Sequence, residues 1–155
     1  MKKLFVKLTL LAIITNQAFA MDQGQINDKG MDINTRQNDL NQKLFVAVAD
    51  GNLDKAVRLI TDGAQVNSKN KYGTGEETPL IAAARNGHKI VCELLIAMEA
   101  DVNAKDTRSR TALMRAAKYG HLDVVRLLIE NGAEINHFSS KHGITALINA
   151  AGKGI

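Results

Sequence analysis

The chain has one cysteine, Cys92, so no internal disulfide can form, and stability in an oxidising compartment has to come from packing. It also lacks a long apolar run. The strongest one, Leu8 to Ile14, is interrupted by Thr9, preceded by Lys7, and falls well short of the roughly 20 residues that span a bilayer. A stable membrane anchor is therefore not expected. There is no glycine-rich phosphate loop, no G-x-S-x-G elbow and no H-E-x-x-H pair, so no motif points to an enzyme and none calls for a metal or a cofactor. Acidic residues are missing from residues 1–20, which hold Lys2, Lys3 and Lys7. Of the formal net charge of +4, three units thus belong to the N-terminus, leaving +1 for the rest of the chain. The global basicity does not make a nucleic-acid binder.

What the N-terminus does contain is a basic start, an apolar stretch and the A-x-A pattern Ala18-Phe19-Ala20. These are the parts of a secretory signal peptide. Residues 1–20 are expected to be removed before Met21, giving an exported protein, periplasmic or secreted, and the lysine-led signal fits a bacterial source. Residues 21–38, rich in Asp, Asn, Gln and Gly, have too few apolar side chains to bury a face and are expected to be a flexible polar lead-in. Helical apolar spacing begins at Leu40 and continues through Leu44, Phe45, Ala47 and Val48.

From there the chain repeats itself. Leu44, Leu80, Leu113 and Leu147 are spaced by 36, 33 and 34 residues, and Asn67, Asn103 and Asn136 follow the same steps of 36 and 33. A period near 33 marks one supersecondary unit per repeat. Thr78, Thr111 and Thr145 suit helix N-caps, and Pro79 suits the following position, where no amide donor is needed. The helix that starts there carries Ala82-Ala83-Ala84 or Ala116-Ala117, small enough for close approach of a neighbour. Gly51, Gly87 and Gly120 break it and lead into a second helix with a broad apolar face, "VCELLI" or "VVRLLI". The stretches "DGAQVN", "MEADVN" and "NGAEIN" then leave the helix.

The shared form, T-P-L-x-x-A-A-x-x-G-H-x-x-V-x-x-L-L-x-x-G-A-x-x-N, resembles the ankyrin repeat over residues 39–155. The resemblance implies an all-α solenoid of helix-turn-helix units with β-turn fingers, about three full repeats (39–69, 70–105, 106–139) and a partial fourth (140–155). It departs from the family in three places. Phe45, Ile81, Met114 and Ile148 stand where the family has a His, so packing is expected to replace a polar network. Glu99 stands where other units have Gly63 and Gly132, a left-handed position, so the exit there is expected to be strained or rebuilt. The turn "NKYGTGEETPL" is three residues longer than "DTRSRTAL".

His88 and Cys92, four apart, have the spacing of a nucleophile and its base or of two metal ligands. The next unit has His121 and Val125 at those places and the first has Asn52 and Ala56, so the Cys fills an apolar packing slot. His137 and His142 flank a Ser-rich turn with no acidic or thiol partner nearby, and are expected to be exposed turn residues. The family resemblance assigns partner contact to the turn tips and to the two positions before the helix-breaking Gly. Here those are Lys71, Tyr72, Arg85, Asn86, Arg108, Arg110, Lys118 and Tyr119, with Lys141, His142 and Lys153 beyond. This ladder is mostly cationic, while the opposite helices carry Asp54, Glu93, Asp123 and Glu130, so a polarised molecule is expected. The reading is a monomeric, non-catalytic module that binds the acidic surface of another protein. The rivals are a structural or protective companion of an envelope enzyme and a secreted effector acting on host proteins.

Overall fold

A computed structural model of the chain describes residues 33–70, 75–139 and 145–152. The expected signal peptide lies outside them, as does most of the expected lead-in. Among the described residues there are seven helices: α1 (Ile33–Ala49), α2 (Leu53–Thr61), α3 (Pro79–Arg85), α4 (Lys89–Ala97), α5 (Ala112–Tyr119), α6 (Leu122–Glu130) and α7 (Ala146–Ala151). None is long and apolar enough to cross a membrane. The odd-numbered helices stack in succession, the even-numbered helices form a parallel outer row, and each pair packs on itself. The all-α solenoid of helix pairs is the observed architecture, and among the described residues an isolated β-bridge joins Phe138 to Thr145.

Local chemistry sets each start. Thr78 and Thr111 accept hydrogen bonds from the amides of Ile81 and Met114, both at 3.4 Å, and Thr145 does the same for Ile148 at 3.2 Å. Asn52 caps α2 by accepting from Lys55 N at 3.0 Å. His88 and His121, at the N-caps of α4 and α6, make no such bond. Their rings are used elsewhere: Nε2 of His88 lies 2.9 Å from the Ala49 carbonyl, and Nε2 of His121 lies 3.0 Å from the Arg85 carbonyl. A carbonyl only accepts, so each ring carries its proton on Nε2 and bridges to the preceding unit. This contact also accounts for the glycine before each turn. Gly51 and Gly87 have φ of +73° and +76°, and a Cβ at either would sit 2.6 Å from Nδ1 of the His in the following unit.

The core lies between the two rows. Leu44, Leu80 and Leu113 are at most 1% exposed, and Ala82, Ala83, Ala84 and Ala116 are fully buried, so the inner helices approach closely. Ile81 and Met114, in the place of the family's His, are buried at 0% and 2%, so apolar packing does fill that position. The fourth unit differs: Leu147 is 71% and Ile148 56% exposed. At roughly 1.5–3 kcal/mol for full burial of such a side chain, α7 contributes much less than the helices before it.

One expectation is corrected. Residues 33–38, expected to be lead-in, are part of the α1 helix. The reason lies in how units are clamped. Asn67 donates to Glu99 O at 3.2 Å and accepts from Asp101 N at 2.8 Å, and Asn103 repeats this with Gly132 O at 3.1 Å and Glu134 N at 2.8 Å. At the first exit the extended α1 supplies the clamp. Gln37 donates to Gly63 O at 2.9 Å, and Asn41 accepts from Gln65 N at 2.8 Å. A polar stretch thus becomes helix because its amides reproduce the Asn clamp. At the second exit, Glu99 keeps the left-handed turn at φ +64° without glycine, so this exit is strained and not rebuilt.

Candidate functional site

The face formed by the inner helices and the turns before them carries the expected contact positions, and the structure sorts them. Lys118 and Tyr119 end α5 and are exposed, Tyr119 at 46%. The Tyr119 ring has two cations near it, Lys118 Nζ and the Arg115 guanidinium, each 5.8 Å from its centroid. It also stacks on His121 at 6.5 Å, which ties it to the inter-unit bridge. Arg108 is exposed on its turn. Asn86 is spent locally, since its side chain donates to Ala49 O at 2.9 Å. Lys71, Tyr72, Lys141, His142 and Lys153 lie outside the described residues.

Arg110 is not a free tip residue. Its Nε donates to Asp106 Oδ2 at 2.7 Å, and its backbone amide donates to Oδ1 at 2.9 Å. Nη2 lies 2.7 Å from Oδ2 but at an angle too poor for a hydrogen bond, so that contact is ionic only. Asp106 also accepts from Arg108 N at 2.8 Å, with Ser109 at φ +56° in the same turn. A buried Asp holds this turn, and Arg110 neutralises it.

Sequence reasoning missed the centre of the face. Glu77, just before α3, is 5% exposed, and Arg115, mid-α5, is 4% exposed. Arg115 Nη2 makes a short ion pair with Glu77 Oε1. From the other side Arg85 Nη1 reaches both carboxylate oxygens, at 3.1 Å and 2.8 Å. Arg115 Nε is buried without a partner. The one available signal was an Arg at the position where the neighbouring unit has the fully buried Ala82. A charge at a buried slot needs a counter-ion.

The outer row is not the acidic counterpart that was expected. Asp54, Glu93, Asp123 and Glu130 are exposed there, yet so are Lys55, Arg58, Lys89 and Arg126, and the two signs balance. Lys89 and Glu93 pair at 3.6 Å. The molecule has a cationic inner face against a neutral outer one.

The histidine and cysteine readings also resolve. Cys92 is fully buried, and its thiol is pushed up to about 12 by burial first, then by the charges of Asp123 and Glu93. With the His88 ring held on Ala49 O, the two form no nucleophile–base pair. His137 is not an exposed turn residue: its side chain is 15% exposed and its Nε2 lies 3.0 Å from Ser109 O, a bond within the third unit. Among the described residues no three His, Cys, Asp or Glu side chains converge on a metal position.

Comparison with known proteins agrees with this architecture. Residues 44–139 match the family model described as ankyrin repeats (3 copies). The chain is 31% identical over 86 residues to the human Arf-GAP with coiled-coil, ANK repeat and PH domain-containing protein 2, covering 56% of this chain and 11% of that protein. It is 29% identical over 99 residues to the Gallus gallus protein of the same description, covering 64% of this chain and 12% of the relative. The chain therefore spans only about a ninth of these relatives. With its helix pairs stacked by Asn clamps and His bridges, and with the family model covering most of its length, the chain belongs to the ankyrin-repeat family.

Proposed function

We propose that this protein is an exported, monomeric, non-catalytic binding module that holds an acidic protein surface against its inner face. Ankyrin repeats generally mediate protein–protein interaction, which the family assignment brings with it. The observation that carries the finer reading is the charge contrast between the two rows. Lys118 and Arg108 have no counter-ion among the described residues, Arg85 is only partly used by Glu77, and the outer row is balanced. Tyr119 beside these cations is a favoured contact type, amphipathic and rigid. The A-x-A pattern at residues 18–20 supports export. The GAP named in the relatives' descriptions is not carried over to a chain that spans only about a ninth of their length.

The test is site-specific photo-crosslinking in the producing cell. A photoreactive residue at Lys118 or Arg108 should trap one protein, and the same group at Asp54 or Glu130 on the outer row should not. Crosslinks confined to the outer row, or none from either face, would overturn this function.

A further inference from the structure

We infer that the inner face contains a seat for one side-chain carboxylate of the partner, made by the unused edge of Arg85, with Tyr119 receiving the apolar residue beside that acid. This rests on the protein-binding reading above and specifies its chemistry. Arg85 spends one nitrogen, Nη1, on both oxygens of Glu77. Its other edge, Nε and Nη2, has no acceptor among the described residues, and its side chain is 26% exposed. That edge is a planar two-donor fork of the kind that takes a carboxylate bidentately. Its orientation is already set, because Glu77 is buried and held from the opposite side by Arg115. Binding there does not have to order a free side chain.

Charge selects a monoanion. Arg85 and Arg115 share the one carboxylate of Glu77, and Lys118 beside Tyr119 has no counter-ion among the described residues, so the three cations exceed that acid by two charges. One added carboxylate lowers this excess. A phosphate dianion gains more from the cations but brings a second charge towards Glu77, which sits at the centre of the cluster. A nucleic-acid backbone offers a row of phosphates where the face has one seat. The Tyr119 ring, polarised by Lys118 and Arg115 and still 46% exposed, gives the neighbouring residue an aromatic surface. The recognised element is thus an acidic residue adjacent to an aromatic or aliphatic one.

Nuclear magnetic resonance of the full ¹⁵N-labelled chain tests this, reading the Arg85 Nε–H and the Tyr119 ring. The probes are Ac-Gly-Glu-Phe-Gly-amide, its Gln counterpart and its phosphoserine counterpart. The Glu peptide should give saturable shifts at both groups, and the Gln peptide should bind about tenfold more weakly or worse, the effect of losing one charge-assisted pair. Arg85→Lys keeps the charge beside Glu77 but removes the fork, and should cost the Glu peptide a similar factor with an unchanged melting temperature. Equal binding of Glu and Gln peptides, tighter binding of the phosphoserine peptide, or no effect of Arg85→Lys would each overturn the seat. If crosslinking from Lys118 persists undiminished in Arg85→Lys, the seat fails while the protein-binding face stands. If the wild type gives no inner-face crosslink, the function itself fails.

Discussion

Removal of the Glu77 carboxylate should be the most damaging single change on the inner face. In Glu77→Ala, Arg115 is left as a charge whose side chain is 5% exposed, with only the face of the Tyr119 ring, its centroid 5.8 Å away, to receive it. Breaking a buried pair from one side typically costs about 3–5 kcal/mol, a large part of the roughly 5–15 kcal/mol that holds a domain folded. The reverse deletions are milder. Arg85→Ala removes a partner that is 26% exposed and leaves Glu77 paired with Arg115, so about 1 kcal/mol or less is expected. In Arg115→Met the Glu keeps Arg85 while an apolar side chain fills the slot. The double variant Glu77→Leu with Arg115→Met leaves no buried charge unpaired, and should be far more stable than Glu77→Ala. Urea unfolding followed by helical circular dichroism measures all four. With a slope of about 2 kcal/mol per molar, Glu77→Ala should lower the midpoint by roughly 2 M. Equal, small shifts for Glu77→Ala and Arg85→Ala would refute the buried-pair account, because they would mean that Arg115 is hydrated or re-paired once Glu77 is gone.

Three further outcomes follow from the packing. Gly87→Ala combines a left-handed residue with a Cβ 2.6 Å from the His121 ring, whereas Gly120→Ala at φ +80° meets nothing within 4 Å, so the first should lose clearly more melting temperature than the second. Ala83→Leu and Ala116→Leu place a large side chain at fully buried positions between inner helices, and each should destabilise by about 1–3 kcal/mol in the same urea assay. Cys92 should resist alkylation in the native protein and react once it unfolds. Its folded-state value near 12 lies above the ordinary 9.0, so the native state holds the proton more tightly. Its contribution is complete below pH 9.0 and is lost as the pH rises towards 12, which a Cys92→Ala variant should not show in stability measured over that range.

The repeat was legible in the sequence because each unit encodes its own helices. Thr caps, the glycine break, the alanine run and the apolar slot of Cys92 act over a few residues and recur with the period, so one unit serves as a control for the next. The face that resembles a binding surface was placed by that same register, and Lys118 and Tyr119 do end an inner helix exposed. What the tertiary structure decided is which side chains meet across units. Glu77 and Arg115 are 38 residues apart and pair only because α3 and α5 stack. The Asn clamps and the His88 and His121 bridges likewise join groups 29 to 39 residues apart, and no local propensity specifies them. The helical start at Ile33 has the same cause, since Gln37 and Asn41 are ordinary polar residues until the exit at Gly63 and Gln65 lies beside them. Periodicity determines which face a residue occupies. Whether its charge remains available there depends on the neighbour that folding brings against it, as Asp106 does for Arg110.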